Sequence, residues 1–99
     1  MSQISKVLLR ADHCLYYYSS SLVSKFYWQD LLQLWAVNHQ QHWYWLLQAE
    51  LSQGLIPFGC IGETELRQHF LRLPSFDYDR LLREVVDASS GRFLLWQRP

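Results

Sequence analysis

The chain has no charge excess of either sign: nine lysines and arginines face nine acids, and from residue 61 onward six arginines meet six acids. Without a basic field there is nothing to attract a phosphate backbone, so nucleic acid is not an expected partner. Cysteine is scarce as well. Cys14 and Cys60 stand far apart, with neither a CxxC pair nor a disulfide framework, which fits a reducing compartment and buried free thiols. An uninterrupted apolar run is missing from the N-terminus, where Lys6 and Arg10 break up Ile4, Val7, Leu8 and Leu9. A secretory signal is therefore not expected, and a cytoplasmic location is. Residues 31 to 49 contain no lysine, arginine, aspartate or glutamate, and that stretch has nearly the length of a membrane span. Gln33, Asn38, His39, Gln40, Gln41, His42 and Gln48 would each carry a polar group into hydrocarbon, which argues against a membrane partner. Internal repeats and low-complexity segments are absent too.

What the chain does have is bulk. Of its 99 residues 49% are apolar, with five Trp, six Tyr and five Phe, enough for a packed core in a single domain covering residues 1 to 99. Residues 31 to 49 read as one helix. At about 100° per residue Trp28, Leu31, Leu32, Trp35, His39, His42, Leu46 and Ala49 share one stripe, which places both histidines among core residues. Leu34, Val37, Tyr44, Trp45 and Leu51 populate the opposite side, and a helix apolar on two faces is central in its domain or buried against a partner.

The spacing elsewhere predicts an all-α fold. A first helix from Gln3 to Ser21 carries Ile4, Val7, Leu8, Ala11, Cys14, Leu15, Tyr18 and Leu22 inward, and Ser24 caps a second helix from Lys25 to Gln53 that Gly54 ends. Leu55 to Gly62 reads as a loop. A short third helix, Glu63 to Leu73, has its acids in the first turn and Leu66, Phe70 and Leu73 on one face, and Pro74 closes it. Ser75 or Asp77 caps a fourth, with Leu81, Leu82, Val85 and Val86 inward. Arg92 to Gln97 suits a helical continuation or a short strand, and the continuous helix is favoured.

Ala11-Asp12-His13 through Ser24, Asp30-Leu31-Leu32-Gln33-Leu34 through Gln53-Gly54, and the apolar spacing from Leu66 to Leu95 together resemble the small bacterial ferritin-like four-helix-bundle domains of unknown function. The resemblance implies an antiparallel bundle with two long N-terminal helices, a shorter C-terminal pair and a tendency to self-associate. Metal-binding members of that group use inward Glu and Glu-x-x-His pairs, whereas this chain has His39-Gln40-Gln41-His42 at that level.

His39 and His42, three apart on one predicted helical face, are candidate metal ligands, with Cys14, His13, Asp12 or His69 available to complete a tetrahedral set. The plainer reading makes them hydrogen-bonded core histidines. Cys14 with a histidine is the only conceivable nucleophile pair, and a structural thiol accounts for it more simply. Asp77 and Asp79 are explained by capping and the helix dipole. Tyr16, Tyr17, Tyr18, Trp43, Tyr44 and Trp45 are too many for one seam, and exposed Trp and Tyr anchor protein interfaces. The expectation is a non-catalytic protein without a cofactor, acting by homo-oligomerisation or by binding a protein partner through Leu34, Val37, Tyr44, Trp45 and Leu51. Two alternatives stand beside it. One is a metal-binding ferritin-like protein using His39 and His42; the other is a winged-helix-like regulator in residues 64 to 96.

Overall fold

The computed structural model describes residues 4–19, 21–85 and 90–99, and they form a two-sheet β structure rather than an all-α bundle. β1 (Ile4–Leu9), β2 (His13–Tyr18) and β3 (Val23–Tyr27) make an antiparallel meander. A one-turn 3-10 segment, Trp28–Asp30, leads to β4 (Gln33–His39), β5 (His42–Gln48) and β6 (Gln53–Pro57), a second meander. Helix α1 (Glu63–Leu71) and the short α2 (Tyr78–Arg80), which runs on into a π turn at Leu81–Val85, precede β7 (Gly91–Gln97). β7 joins the free side of β4, so the second sheet has the order β6-β5-β4-β7. The ferritin-like resemblance and its fold are overturned by this architecture. Both long N-terminal helices are replaced by hairpins, and Arg92 to Gln97 is a strand.

The reason is local. Tyr16, Tyr17, Tyr18, Val37, Trp43, Tyr44 and Trp45 prefer a pleated backbone, where large or branched side chains pack without crowding a preceding turn. Once the period is two, each strand has a clean inner face. Val7, Leu9, Cys14, Tyr16 and Phe26 point inward from the first sheet; Leu34, Ala36, Trp45, Leu47 and Ile56 do so from the second. The predicted stripe is split accordingly. Leu31 is buried while Leu32 is 38% exposed, and His39 and His42, predicted to be core residues, are exposed at a hairpin tip.

The short C-terminal helices are closer to expectation. α1 spans Glu63–Leu71 with Leu66 and Phe70 buried, and its Phe70 ring meets Trp45 edge-on at 5.1 Å. Asp77 does cap α2, accepting from the backbone N–H of Arg80 at 3.0 Å. Leu81 and Val85 are buried as expected, Leu82 is 64% exposed instead, and Val86 lies outside the described residues. A parallel bridge ties the two halves together: the Val7 N–H donates to the Ile61 carbonyl at 2.8 Å and the Ile61 N–H to Ser5 at 3.3 Å. Gly62 sits beside it at φ +89°, where a Cβ would come within 2.0 Å of the Val7 carbonyl oxygen. Among the described residues no helix is long and apolar enough to cross a membrane.

Candidate functional site

The register of the four-stranded sheet arranges its outer face in rows. Trp35 pairs with Leu46 and Leu94, and Leu46 with Leu55, giving an apolar row Leu94, Trp35, Leu46, Leu55 across all four strands. Val37 pairs with Tyr44 and Arg92, and Tyr44 with Pro57, which makes a second row beside it. On the other side Gln33 pairs with Gln48 and Gln97, and Gln48 with Gln53, so four glutamines form a third row. His39 and His42 close the face at the hairpin end. Arg92 is the only charged residue in these rows, and its guanidinium lies 5.5 Å from the centre of the Trp35 ring.

Apolar rows on a sheet are ordinarily covered by another layer, because an apolar face gains free energy only when water leaves it. Among the described residues the covering elements lie elsewhere. α1 packs on the inner face through Phe70 and Trp45, while α2 leans on β7, with Arg80 Nη1 donating to the Leu94 carbonyl at 3.2 Å. Leu46 is 3% exposed yet stands apart from the main core cluster, between Trp35 and Leu55 in its row. Trp35, Val37, Tyr44 and Leu94 are half-buried, and Leu55 is 44% exposed. The polar row is ordered. Trp35 Nε1 donates to Gln33 Oε1 at 3.3 Å, and Gln33 Nε2 donates to Gln97 Oε1 at 3.4 Å.

The residues read from sequence as an interface fall in three places. Val37 and Tyr44 belong to the outer face. Leu34 and Trp45 are 0% exposed inside the core, where the pleat rather than a second helical side puts them. Leu51 is 95% exposed at the β5–β6 turn, beside a shallow groove that also involves Asp30, Leu32 and Glu50. His39 and His42 are brought together across the hairpin, but not with the other proposed ligands. Cys14 is buried in β2 of the other sheet, His13 Nδ1 is 2.6 Å from Asp12 Oδ1, and His69 stacks on Trp28 with ring centres 4.3 Å apart. Among the described residues no group of three or more His, Cys, Asp and Glu side chains is placed to hold a metal ion.

Neither Cys14, the nucleophile candidate, nor Cys60 is prepared for chemistry. Burial pushes the Cys14 thiol up to about 12 and the Cys60 thiol up to about 11, so neither supplies a thiolate near neutrality. Among the described residues Glu63 is the buried carboxylate, which the sequence marks only by its place in a first helical turn. It accepts from Trp45 Nε1 at 3.2 Å, the Gly59 N–H at 3.1 Å, and Arg67 Nε and Nη2 at 2.9 and 3.1 Å. Burial works to raise its pKa, but the hydrogen bonds from Arg67, Gly59 and Trp45 and the Arg67 charge outweigh it and hold the carboxyl below its usual range. With its oxygens occupied this way, Glu63 serves as a clamp between α1, the preceding loop and β5.

Compared with protein-family models, curated proteins and solved structures, the chain matches none. The outer face itself was legible only in part from sequence. Once the strands are in place, the period of two in 33–39, 42–48 and 53–57 puts Trp35, Leu46 and Leu55 together with Val37 and Tyr44, and apolar residues on both faces hide that period in the sequence.

Proposed function

We propose that this protein is a non-catalytic binding module that associates with a second copy of itself through the outer face of the four-stranded sheet. The observation that carries the reading is the pair of apolar rows built on Trp35, Val37, Tyr44, Leu46, Leu55 and Leu94, over which no helix among the described residues packs. Four strands about 4.8 Å apart crossed by two rows about 6.7 Å apart give a face of roughly 250 Å² in plan, and the glutamine row extends it to roughly 400 Å². Two copies packed face to face over all three rows then cover on the order of 800 Å², below the range of stable specific interfaces, which corresponds to a weak, reversible dimer rather than an obligate one.

Charge and hydrogen bonding favour a second copy over a charged partner. A two-fold contact brings the same patch against itself, so it must not repel itself, and these rows contain one arginine and no acid. Each amide of Gln33, Gln48, Gln53 and Gln97 offers both donors and an acceptor, so a glutamine row is complementary to its own copy. Packing at about −30°, as in aligned sheet pairs, lets the aromatic and aliphatic rows interdigitate.

Light scattering coupled to size exclusion, run from about 10 to 500 μM, tests this. A mass rising toward twice 11.9 kDa is expected for the unmodified chain. Tyr44→Lys with Leu55→Lys should remain folded by circular dichroism and stay at the monomer mass, because both side chains point away from the core. A monomer mass for the unmodified chain throughout that range overturns the proposal.

A further inference from the structure

The structure assigns a second property to the tip of the β4–β5 hairpin: we infer that His39 and His42 chelate one divalent transition-metal ion of the imidazole-preferring class, Cu²⁺, Ni²⁺ or Zn²⁺. The two residues are cross-strand partners flanking the two-residue turn Gln40-Gln41. Directly paired positions have Cβ atoms about 4.5–5.5 Å apart on the same face of the sheet. Two imidazole nitrogens bound at about 2.0–2.1 Å to one tetrahedral ion lie roughly 3.3 Å from each other, a separation that such a pair reaches by turning about χ1 and χ2. Both histidines are exposed, so no packing is lost when they turn, and the remaining coordination positions are open to water.

The surroundings favour an ion that imidazole suits over a hard cation. No carboxylate shares the rows of this face, and Ca²⁺ and Mg²⁺ require several oxygen ligands. Arg92, the one cation on the face, is drawn toward the Trp35 ring at 5.5 Å, and Trp35 lies four residues from His39 along β4. The turn is also held in an uncommon conformation. Gln40 and Gln41 have φ of 53° and 68°, the left-handed pair a type I′ turn requires, and this turn sets the histidines in register. The site involves one chain alone and does not depend on self-association.

Calorimetric titration of metal-stripped protein with NiCl2, and copper(II) electron paramagnetic resonance at one equivalent, test the inference. One ion per chain is expected, with a copper spectrum showing two coordinated imidazole nitrogens. Because chelation makes the second bond effectively intramolecular, His39→Gln and His42→Gln should each weaken nickel binding at least tenfold, and the double replacement should be little worse than either single one. Circular dichroism establishes that these exposed-site variants are folded. A His13→Gln control separates the Asp12–His13 pair and should bind as the unmodified protein does. Retention of nickel affinity in His39→Gln, a loss confined to His13→Gln, or two ions whose losses add independently overturns the assignment.

Discussion

Replacing Glu63 by alanine removes the acceptor of four hydrogen bonds at once, and the cost follows from which donors are left in a dry place. Trp45 is 0% exposed, so its Nε1–H loses its partner without reaching water, a penalty of about 1–3 kcal/mol. Gly59 is exposed and its N–H rehydrates. The Arg67 side chain is 37% exposed, so its guanidinium also recovers water and the lost ion pair adds only about 0–1 kcal/mol. A total of about 1–4 kcal/mol is expected for Glu63→Ala, which for a chain of this size lowers Tm by roughly 5–25 °C. Glu63→Gln keeps an acceptor oxygen but not the charge, and should lose roughly half as much. The pH dependence has a definite sign. Because the folded-state pKa of Glu63 is depressed, its contribution is present at neutrality and is lost as pH falls through the ordinary glutamate range and below. Urea unfolding between pH 3 and 7 reads both effects, and the Glu63→Gln curve should lack that part of the acid limb. Equal losses in the alanine and glutamine variants, or a change below about 0.5 kcal/mol in either, would refute the reasoning, since that is the scatter of ordinary surface substitutions.

Two glycines in one loop should respond differently to alanine. Gly59→Ala adds a Cβ in open space at φ +83° and should cost about 1 kcal/mol by thermal unfolding, whereas Gly62→Ala drives its Cβ against the Val7 carbonyl and should cost several-fold more or abolish folding. Changing Gln40-Gln41 to Asn-Gly fits the left-handed dihedrals of both turn positions and should raise stability by about 1 kcal/mol, read from the shift in urea midpoint. Thiol labelling at pH 8 should find Cys14 unreactive in the folded chain and reactive on denaturation, because burial sets its pKa near 12; fast labelling of Cys14 under native conditions would contradict its placement.

The sequence carried the C-terminal helices and missed the sheets for identifiable reasons. Glu63 to Leu71 has acids at its start, apolar residues at three-four spacing and Pro74 beyond its end, so each local cue agreed with the others. Residues 33–48 sent mixed cues. Because the second sheet is apolar on both faces, Leu34 and Ala36 alternate not with charges but with Trp35 and Val37, and the period of two disappears into a continuous apolar run. The same run also satisfies a three-four spacing. The turn between β4 and β5 is Gln40-Gln41, with none of the Gly, Asn, Asp or Pro that ordinarily marks a hairpin, so the chain reversal left no signal. Trp, Tyr and Val cluster in 35–45, and their preference for extended backbone opposes the helical spacing and prevails. The helical spacing places Leu34 and Trp45 at a surface and His39 and His42 in a core, whereas the pleat buries Leu34 and Trp45, exposes the histidines and puts Trp35, Val37, Tyr44 and Leu46 on the outer face.

The most direct measurement of self-association through that face is a dilution series of methyl-labelled protein by NMR. From about 500 to 10 μM, the Val37, Leu46, Leu55 and Leu94 methyl resonances should move together along one binding curve, while those of Leu34, Leu47, Ile56 and Leu66, buried in the chain's own core, stay fixed. Methyl positions independent of concentration, or concentration-dependent shifts confined to Leu22, Val23 or Leu51 away from these rows, would contradict the account.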